Sequence, residues 1–230
     1  MISLNANMLT AENIDKKREG RNVLHSVSVS IERGTIVSVI GPSGAGKTTL
    51  LNVLAGIDVP DSGQVLLEGE RVVRPTPRIA MVFQQLFLWP HLTLRENITL
   101  ANRATDKEID ELISALGMSG FIDRYPNQTS LGQRQRAALA RAVALKPEYL
   151  LLDEVTSALD IEQVEGVAAL LEKLKQQGTG IFTVTHLINF SKRISDHIVF
   201  MDAGEVIEQG GKELISNPQH PRTQEFIRFF

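Results

Sequence analysis

The segment "GPSGAGKT" at residues 41–48 constrains the fold of this chain more than any other feature. It follows a β-branched run, "TIVSVI" at 35–40, and it opens the helical pattern "KTTLLNVLAG". Three glycines, Gly41, Gly44 and Gly46, let the backbone take left-handed conformations and bring successive N–H groups close together. Because the start of a helix adds free N–H donors and a favourable dipole, this strand–loop–helix unit is expected to bind a chain of phosphates.

Two side chains in this loop extend the prediction to a nucleoside triphosphate with Mg²⁺. Lys47 can reach the β- and γ-phosphates, and the Thr48 hydroxyl can hold the ion. A glycine-rich turn that merely joins a strand to a helix is the weaker interpretation, because every fixed position of the pattern is filled. The predicted nucleotide-binding residues of the loop are Gly41, Pro42, Ser43, Gly44, Ala45, Gly46, Lys47, Thr48 and Thr49.

A second motif supplies the acid that such a loop needs for its metal ion. In "YLLLDE" at 149–154 the apolar run stops at Asp153, and Glu154 follows at once. Asp153 is predicted to orient Mg²⁺ through water, and Glu154 to polarise the water that attacks the γ-phosphorus. An acidic pair after a strand is by itself more often the start of a loop, but the phosphate-binding loop favours the functional interpretation. Adjacent acids also favour hydrolysis over transfer of a phosphoryl group to a bound acceptor.

Strand and helix patterns alternate along most of the chain. Strand-like runs lie at 35–40, 64–69, 78–83, 149–153, 180–185 and 197–202, the last followed by "GEVIEQG". Helical patterns lie at about 46–56, 106–117, 131–146, 161–177, 186–194 and 220–229. This alternation predicts an α/β fold with a largely parallel sheet. Residues 86–146 carry no strand signal, so they are interpreted as a helical subdomain inserted into a core made of residues 1–85 and 147–230 of a single domain.

Composition excludes several classes of protein. The 230 residues carry a formal net charge of −3, which gives no reason to expect nucleic acid as a partner. The chain has no cysteine, which excludes a disulfide framework, a thiol nucleophile and a Cys-ligated metal. The first 20 residues lack an apolar signal-peptide core, and no stretch approaches the ~18 apolar residues that span a bilayer. A cytoplasmic location is therefore expected.

Six short motifs occur in one order: "GPSGAGKT", "VFQQ", "SLGQRQR", "LLLDE", "SALD" and "VTH". In order and approximate spacing the chain resembles the ATP-binding cassette (ABC) transporter ATPases along nearly its whole length. The resemblance implies a P-loop NTPase with a RecA-like core, an antiparallel β portion and the inserted α-helical subdomain at 86–146. It implies ATP and Mg²⁺ as cofactors. It also implies that two identical copies pair head to tail, with each ATP held between the phosphate-binding loop of one and the signature segment of the other.

The resemblance assigns roles to further residues. Gln84 is expected to contact Mg²⁺ and the attacking water, which makes Thr48, Gln84 and Asp153 the predicted metal site. His186 is expected to hydrogen-bond the γ-phosphate, so that the catalytic set is Glu154, His186 and Gln84. Ser157 and Asp160, in "SALD", are expected to cross the dimer interface and couple the two sites. Without the resemblance, "SALD" is a turn and a cap for the helix that follows.

The signature segment departs from the pattern usual in the family, Leu-Ser-Gly-Gly-Gln. Here the residues that meet the partner's ATP would be Ser130, Leu131, Gly132 and Gln133, with a leucine in place of the first glycine. Ser130 is a plausible N-cap of the helix that begins at Leu131, and such a cap next to free N–H groups can bind an anion. A leucine with helical dihedrals keeps the same N–H donor, so a working but weakened site is expected; an inactive site is the alternative.

Two more departures concern the nucleotide and its surroundings. Val155 stands where the family usually has proline, which adds an N–H and loosens the backbone. No aromatic residue precedes Phe83, although the family usually stacks adenine on one before the phosphate-binding loop. Arg18 occupies that position, with Val23 also expected near the nucleotide. A guanidinium plane can stack on a base, but it buries less apolar area, so weaker base affinity is expected.

The apolar stretch "LFLWPHLTLREN" at 86–97 is the best indication of a partner. In the family this region receives a membrane permease, so permease contact is predicted from Leu86 to His91, with the chain peripheral on the inner face of the cell membrane. The alternative is that these residues form the core of the helical subdomain. A substrate-binding protein would be an indirect partner.

Three segments of the sequence bear on the identity of the transported solute. "VFQQLFLWPHLTLRENITLA" and "NPQHPRTQEFI" resemble polar amino acid uptake ATPases, whereas the short "GERVVRPTPRIAMVFQ" is closer to nitrate or sulfonate importers. Import of polar amino acids is the favoured prediction. The alternatives are another small solute, a hydrolysis-impaired ATP-dependent clamp, and a soluble ABC protein acting on DNA or ribosomes, which usually has two cassettes or a long coiled-coil insertion.

Overall fold

A computed structural model describes residues 7–100 and 103–228 of the chain. The strands are β1 (Met8–Arg18), β2 (Arg21–Glu32), β3 (Ile36–Ile40), β4 (Ser62–Leu67), β5 (Glu70–Arg71), β6 (Ile79–Val82), β7 (Tyr149–Asp153), β8 (Gly180–Val184), β9 (His197–Asp202) and β10 (Glu205–Gly210). The helices are α1 (Lys47–Leu54), α2 (Leu94–Thr99), α3 (Asp106–Ala115), α4 (Leu131–Ala144), α5 (Ile161–Gln176), α6 (Ile188–Ile194), α7 (Glu213–Ser216) and α8 (Pro221–Ile227).

The larger sheet is the predicted parallel one. Its strand order is β10-β9-β3-β8-β7-β6, and every neighbouring pair is parallel except β10 with β9. All residues of β3, β7 and β8 are buried. Strands covered by helices or by another sheet on both faces are mostly apolar, which is why these three were readable as hydrophobic runs. The α/β fold with a largely parallel sheet is thus confirmed.

The smaller sheet is antiparallel, with strand order β2-β1-β4-β5. Sequence periodicity did not locate β1 and β2, and only the family resemblance implied an antiparallel portion. The pairing of these strands changes register repeatedly, and Asn13 and Ser26 have positive φ angles of 49° and 48°. Such irregularities break the alternation of buried and exposed side chains on which strand prediction depends. The alternating "VSVSI" of β2 was the available signal.

Helices fill the stretch between β6 and β7, and its described part, residues 86–100 and 103–146, has no strand. Residues 101 and 102 of the predicted subdomain lie outside the described residues. Each of α2, α3 and α4 begins with a capping box, in which a Thr or Ser caps the helix and a Glu or Gln three residues later binds back. Helix α2 was not predicted individually, although its box, Thr93 with Glu96, was readable in "TLRE".

Predicted helix ends agree with the structure to within a few residues. The helix predicted at 186–194 begins at Ile188, and the one predicted at 220–229 ends at Ile227, with residue 229 outside the described part. Over residues 7–100 and 103–228, no helix combines the length and the apolar character that crossing a bilayer requires.

The topology gathers the predicted chemistry at one edge of the parallel sheet. Gly41 follows β3 directly, Glu154 follows β7 directly, and Gln84 and His186 lie two residues beyond β6 and β8. Because these four strands are parallel, their carboxyl ends meet at the same edge, where open α/β sheets bind their ligands.

Candidate functional site

The loop between β3 and α1 wraps around the ammonium group of Lys47. The Lys47 Nζ donates hydrogen bonds to the carbonyl oxygens of Gly41, at 2.8 Å, and Pro42, at 2.7 Å. Burial lowers the pKa of Lys47, while the charges of Glu154 and Asp153 act in the opposite direction. Gly46 precedes α1 with a φ of 93°, and a Cβ there would lie 2.6 Å from the carbonyl oxygen of Val23. Only glycine fits this close approach of the loop to β2.

A cavity of about 350 Å³ lies beside this loop. It brings together most of the residues predicted to bind nucleotide or to act in catalysis: Val23, Ser43, Gly44, Ala45, Gly46, Lys47, Thr48, Thr49, Gln84, Glu154 and His186. A larger cavity of about 710 Å³, between the helical segment and α5, has none of the predicted site residues in its lining. The smaller cavity is therefore the candidate site, because the predicted nucleotide-binding and catalytic residues line it.

The three side chains predicted to act in catalysis meet at Glu154. Its carboxylate lies 2.5 Å from the Nε2 of His186 and accepts a hydrogen bond of 3.4 Å from the Nε2 of Gln84. Glu154 has a φ of 52°, a left-handed conformation that costs a non-glycine residue about 1–3 kcal/mol and that is concentrated at functional sites. Its N–H donates to the carbonyl of Val184 at 2.9 Å, which ties it to the end of β8.

The candidate metal site has one carboxylate and one hydroxyl. The Thr48 hydroxyl donates to Asp153 at 3.3 Å, and Gln84 lines the same cavity. Asp153 is only 2% exposed, and this burial raises its pKa, although the hydrogen bond from Thr48 opposes the rise. In the described part of the chain no three His, Asp or Glu residues cluster so as to hold a metal. Thr48, Asp153 and Gln84 suit an ion that takes most of its ligands from phosphate and water, as Mg²⁺ usually does in proteins.

The signature residues do not line the cavity of their own chain. Ser130 caps α4: its hydroxyl accepts the N–H of Gln133 at 3.2 Å, and its own N–H donates to the Gln133 side chain at 2.9 Å. The hydroxyl hydrogen of Ser130 is not used in this box, so it can be donated to an anion.

The two positions after this cap differ in the space around them. The side chain of Leu131 is 52% exposed, at the first residue of α4. A Cβ at Gly132, by contrast, would lie 2.7 Å from the carbonyl oxygen of Ala158. The packing thus requires glycine at 132 and tolerates a side chain at 131.

The "SALD" segment is held within its own chain by hydrogen bonds that involve both Ser157 and Asp160. Asp160 caps α5 by accepting the N–H of Gln163 at 2.9 Å, as expected from the sequence. The Ser157 hydroxyl accepts a hydrogen bond of 3.2 Å from the amide of Gln135. Gln135 was missed by sequence reasoning. The available signal was the run "QRQR" inside a predicted helix. Four consecutive residues cover all sides of a helix, so at least one of these polar side chains must face the core and needs a buried partner.

Arg18 is not brought into the candidate site. Its guanidinium binds Asp58 at 2.5 Å, and Asp58 is shared with Lys16 at 2.8 Å. Arg18 does not line the cavity, whereas Val23 does. Stacking of Arg18 on a base would therefore require this ion pair to open.

The predicted partner segment is divided between core and surface. Leu86 and Leu88 pack against the hydrophobic core, whereas Phe87 is 57% and Trp89 51% exposed. Arg141 of α4 donates to the carbonyl oxygens of Leu86, at 2.9 Å, and Phe87, at 2.8 Å. The core interpretation thus holds for Leu86 and Leu88, and the exposed aromatic pair is the part available for a partner.

Comparisons with known proteins point to one family. The sequence profile of the ABC transporter family matches residues 24–157. The chain is 36% identical over 236 residues to the arginine transport ATP-binding protein ArtM of Bacillus subtilis, covering 96% of this chain and 98% of that protein. It is 37% identical over 239 residues to the glutamine transport ATP-binding protein GlnQ of Escherichia coli, covering 96% and 99%.

Solved structures agree with these relatives. A dimeric bacterial ABC transporter cassette superposes with a TM-score of 0.80 at 31% identity, covering 89% of this chain and 98% of the cassette. The same cassette in a dimeric post-hydrolysis state, bound to ADP and phosphate, superposes with a TM-score of 0.78 at 32% identity and the same coverage.

Proposed function

The chain belongs to the ABC transporter family, and on that basis we propose that it powers the uptake of polar amino acids through a membrane permease. It is an ATP-binding and ATP-hydrolysing subunit with a P-loop NTPase core. The observation that carries the proposal is the meeting of Lys47, Gln84, Glu154 and His186 around one cavity, at the carboxyl ends of four parallel strands.

The polar side chains at the cavity have distinct roles in ATP hydrolysis. The loop N–H groups and Lys47 bind the phosphates and offset their negative charge. Thr48, with Asp153 and Gln84, would hold Mg²⁺, which when bound neutralises charge on the phosphates. The Glu154 carboxylate accepts the proton of the attacking water. The Nε2 of His186 lies 2.5 Å from that carboxylate in this structure, and with ATP bound it donates to the γ-phosphate instead.

A second copy of the chain completes the site. Residues 86–146 act as the subdomain that carries the signature, and the cap of α4 faces the γ-phosphate bound by the other copy. The free hydroxyl hydrogen of Ser130 and the N–H groups of Leu131 and Gly132, at the start of α4, bind that phosphate. The N–H of Gln133 holds the Ser130 hydroxyl in place for this contact. Ser157 and Asp160 lie where the two copies cross. Leu131 is compatible with this contact because its N–H remains in place while its side chain is exposed.

The membrane partner binds near residues 86–91. Phe87 and Trp89 give this surface an exposed aromatic pair, the kind of anchor that dominates protein interfaces. Gln84 lies only a few residues before it, so closure around ATP at the cavity moves the surface that the permease contacts. The chain would thus lie on the inner face of the membrane, with a substrate-binding protein delivering solute to the permease. Polar amino acids are the favoured solute because relatives that match at full length transport arginine and glutamine.

Reconstitution tests this proposal. The chain and its permease are placed in liposomes with ATP inside, and uptake of labelled arginine and glutamine is compared with uptake of nitrate and of a sulfonate. ATP-dependent uptake of an amino acid is expected; uptake of nitrate or the sulfonate alone would refute the solute assignment. Glu154→Gln should lower single-turnover hydrolysis at least 100-fold, because an amide cannot accept the proton. Glu205→Gln, an exposed control on β10, should leave it unchanged. Equal rates in the two variants would contradict the role of Glu154.

A further inference from the structure

We infer that Gln135 is a positioning residue that holds the backbone of Glu154 in its working conformation and joins it to the signature helix of the same chain. The inference rests on the proposed function and adds to it a residue of "SLGQRQR" that was not among those predicted to contact nucleotide. Gln135 lies on α4, one turn after the cap Ser130, and its side chain is only 4% exposed.

The amide of Gln135 has three partners, all in the loop between β7 and α5. Its Nε2 donates to the carbonyl oxygen of Glu154 at 2.9 Å and to the Ser157 hydroxyl at 3.2 Å. Its Oε1 accepts the N–H of Ala158 at 3.2 Å. Both amide hydrogens and the amide oxygen are therefore used, and the orientation of the group is set by the donors and acceptors it meets. A buried amide with this pattern fixes the loop at three points.

The bond to Glu154 matters because that residue is held in a left-handed conformation. The N–H of Glu154 is bound to Val184 at 2.9 Å and its carbonyl oxygen to Gln135, so both of its peptide groups are fixed. Without the amide, the carbonyl oxygen would keep only the 3.2 Å hydrogen bond from the N–H of Ser157, and the backbone could relax towards the right-handed region. The carboxylate would then leave its position beside His186 and Gln84.

The same helix contacts the loop a second time. Gly132 packs so closely on Ala158 that a Cβ would lie 2.7 Å from its carbonyl oxygen. The N-terminal end of α4 therefore carries the residue proposed to meet the partner's phosphate, Ser130, and the two that dock on the loop, Gly132 and Gln135. The position of Glu154 in one site thus depends on the signature helix of its own chain, which serves the other site.

The test compares two adjacent residues of α4. Gln135→Leu removes all three contacts at similar size, and Gln135→Glu keeps the shape but cannot donate to the Glu154 carbonyl. Arg136→Leu is the matched control, since Arg136 is also buried but donates to Leu116 and Gly117 within the helical segment. Both Gln135 variants should lower kcat about 10- to 100-fold with KM for ATP within threefold, because a small displacement of a reacting group has that effect. Arg136→Leu should keep kcat within threefold. Equal losses in all three, or no loss in the Gln135 variants, would overturn the inference.

Hydrogen exchange tests the same contacts without ATP or a second copy. The Ala158 amide should exchange at least 10-fold faster in Gln135→Leu than in the wild-type chain, and at the wild-type rate in Arg136→Leu. Unchanged exchange would overturn the inference. If the wild-type chain hydrolysed no ATP, the proposed function would fail, and the exchange result would still decide whether Gln135 fixes the loop.

Linked dimers separate the two sites. One dimer has Glu154→Gln in one half and Gln135→Leu in the other; a second has both changes in one half and a wild-type other half. If Gln135 acts on its own Glu154, the second dimer keeps about half of the wild-type rate, since one intact glutamate of two remains. The first dimer then loses a further 10- to 100-fold. The reverse order would show that Gln135 acts through the signature contact, and would overturn the inference.

Discussion

The usual signature has two adjacent glycines, and this chain keeps only Gly132. Replacing Gly132 with alanine tests whether close packing is the reason that this position needs a glycine. An added Cβ would lie 2.7 Å from the carbonyl oxygen of Ala158 and 3.3 Å from the Leu159 side chain. The near atom is backbone, so it cannot rotate away as a side chain could. Leu131→Gly is the opposite change one residue earlier, where the native side chain is half exposed.

The expected magnitudes follow from this contact. Overpacking of a tight site costs about 1–3 kcal/mol. Alanine regains up to about 1 kcal/mol in helix propensity over glycine. Gly132→Ala is thus expected to lower the free energy of unfolding by about 1 kcal/mol. To restore ordinary contact, the first turn of α4 must move by about 0.7 Å. Since a misplacement of about 1 Å can cost 100-fold, ATPase activity should fall about 10- to 100-fold.

Leu131→Gly should behave differently on both measures. Its stability loss is at most the propensity difference, just under about 1 kcal/mol. Its ATPase rate should stay within threefold of the wild-type rate, because the N–H donor is kept. Urea unfolding and steady-state hydrolysis of both variants check this. If Gly132→Ala kept the wild-type rate, or if Leu131→Gly raised the rate 10-fold, the reasoning from packing would be wrong.

Three further changes address binding and stability. Lys47→Met should weaken ATP binding about 10- to 100-fold by removing a charge-assisted contact, and calorimetry showing unchanged affinity would contradict this. Arg18→Tyr should tighten ATP binding about 3- to 10-fold by adding an aromatic face, at the expense of the ion pair with Asp58; an unchanged dissociation constant counts against it. Arg78→Met leaves Glu148 without its closest partner, so denaturation should show a loss of about 1 kcal/mol, discounted for solvent exposure, that shrinks in high salt; a salt-independent loss argues against an ionic origin.

The sequence predicted the central part of the fold for a definite physical reason. Strands β3, β7 and β8 are buried on both faces, so they are mostly apolar and stand out in the sequence. Each is followed by a residue with recognisable chemistry, such as Glu154 after β7. Parallel pairing then brings those residues to one edge without further information. The caps of α4 and α5, Ser130 and Asp160, were also predictable, because an N-cap is a local interaction.

What the sequence could not supply is contact between distant segments. Arg18 was expected near adenine, but its partner Asp58 lies 40 residues away, and nothing local indicates that pair. Gln135 meets Glu154 across 19 residues and a change of element. The antiparallel sheet was not predicted from periodicity, because the irregular register of β1 obscures the alternation of buried and exposed residues.

The departure of the signature from its usual form is explained by its neighbours. A glycine is required where the backbone of another segment approaches, as Val23 approaches Gly46 and Ala158 approaches Gly132. The side chain of Leu131 is half exposed, and its N–H donor belongs to the helix rather than to the residue type. The leucine therefore leaves the phosphate contact intact and adds an apolar side chain on the surface proposed to meet the second copy. We therefore expect Leu131 to affect the affinity of the two cassettes for each other more than the rate of ATP hydrolysis.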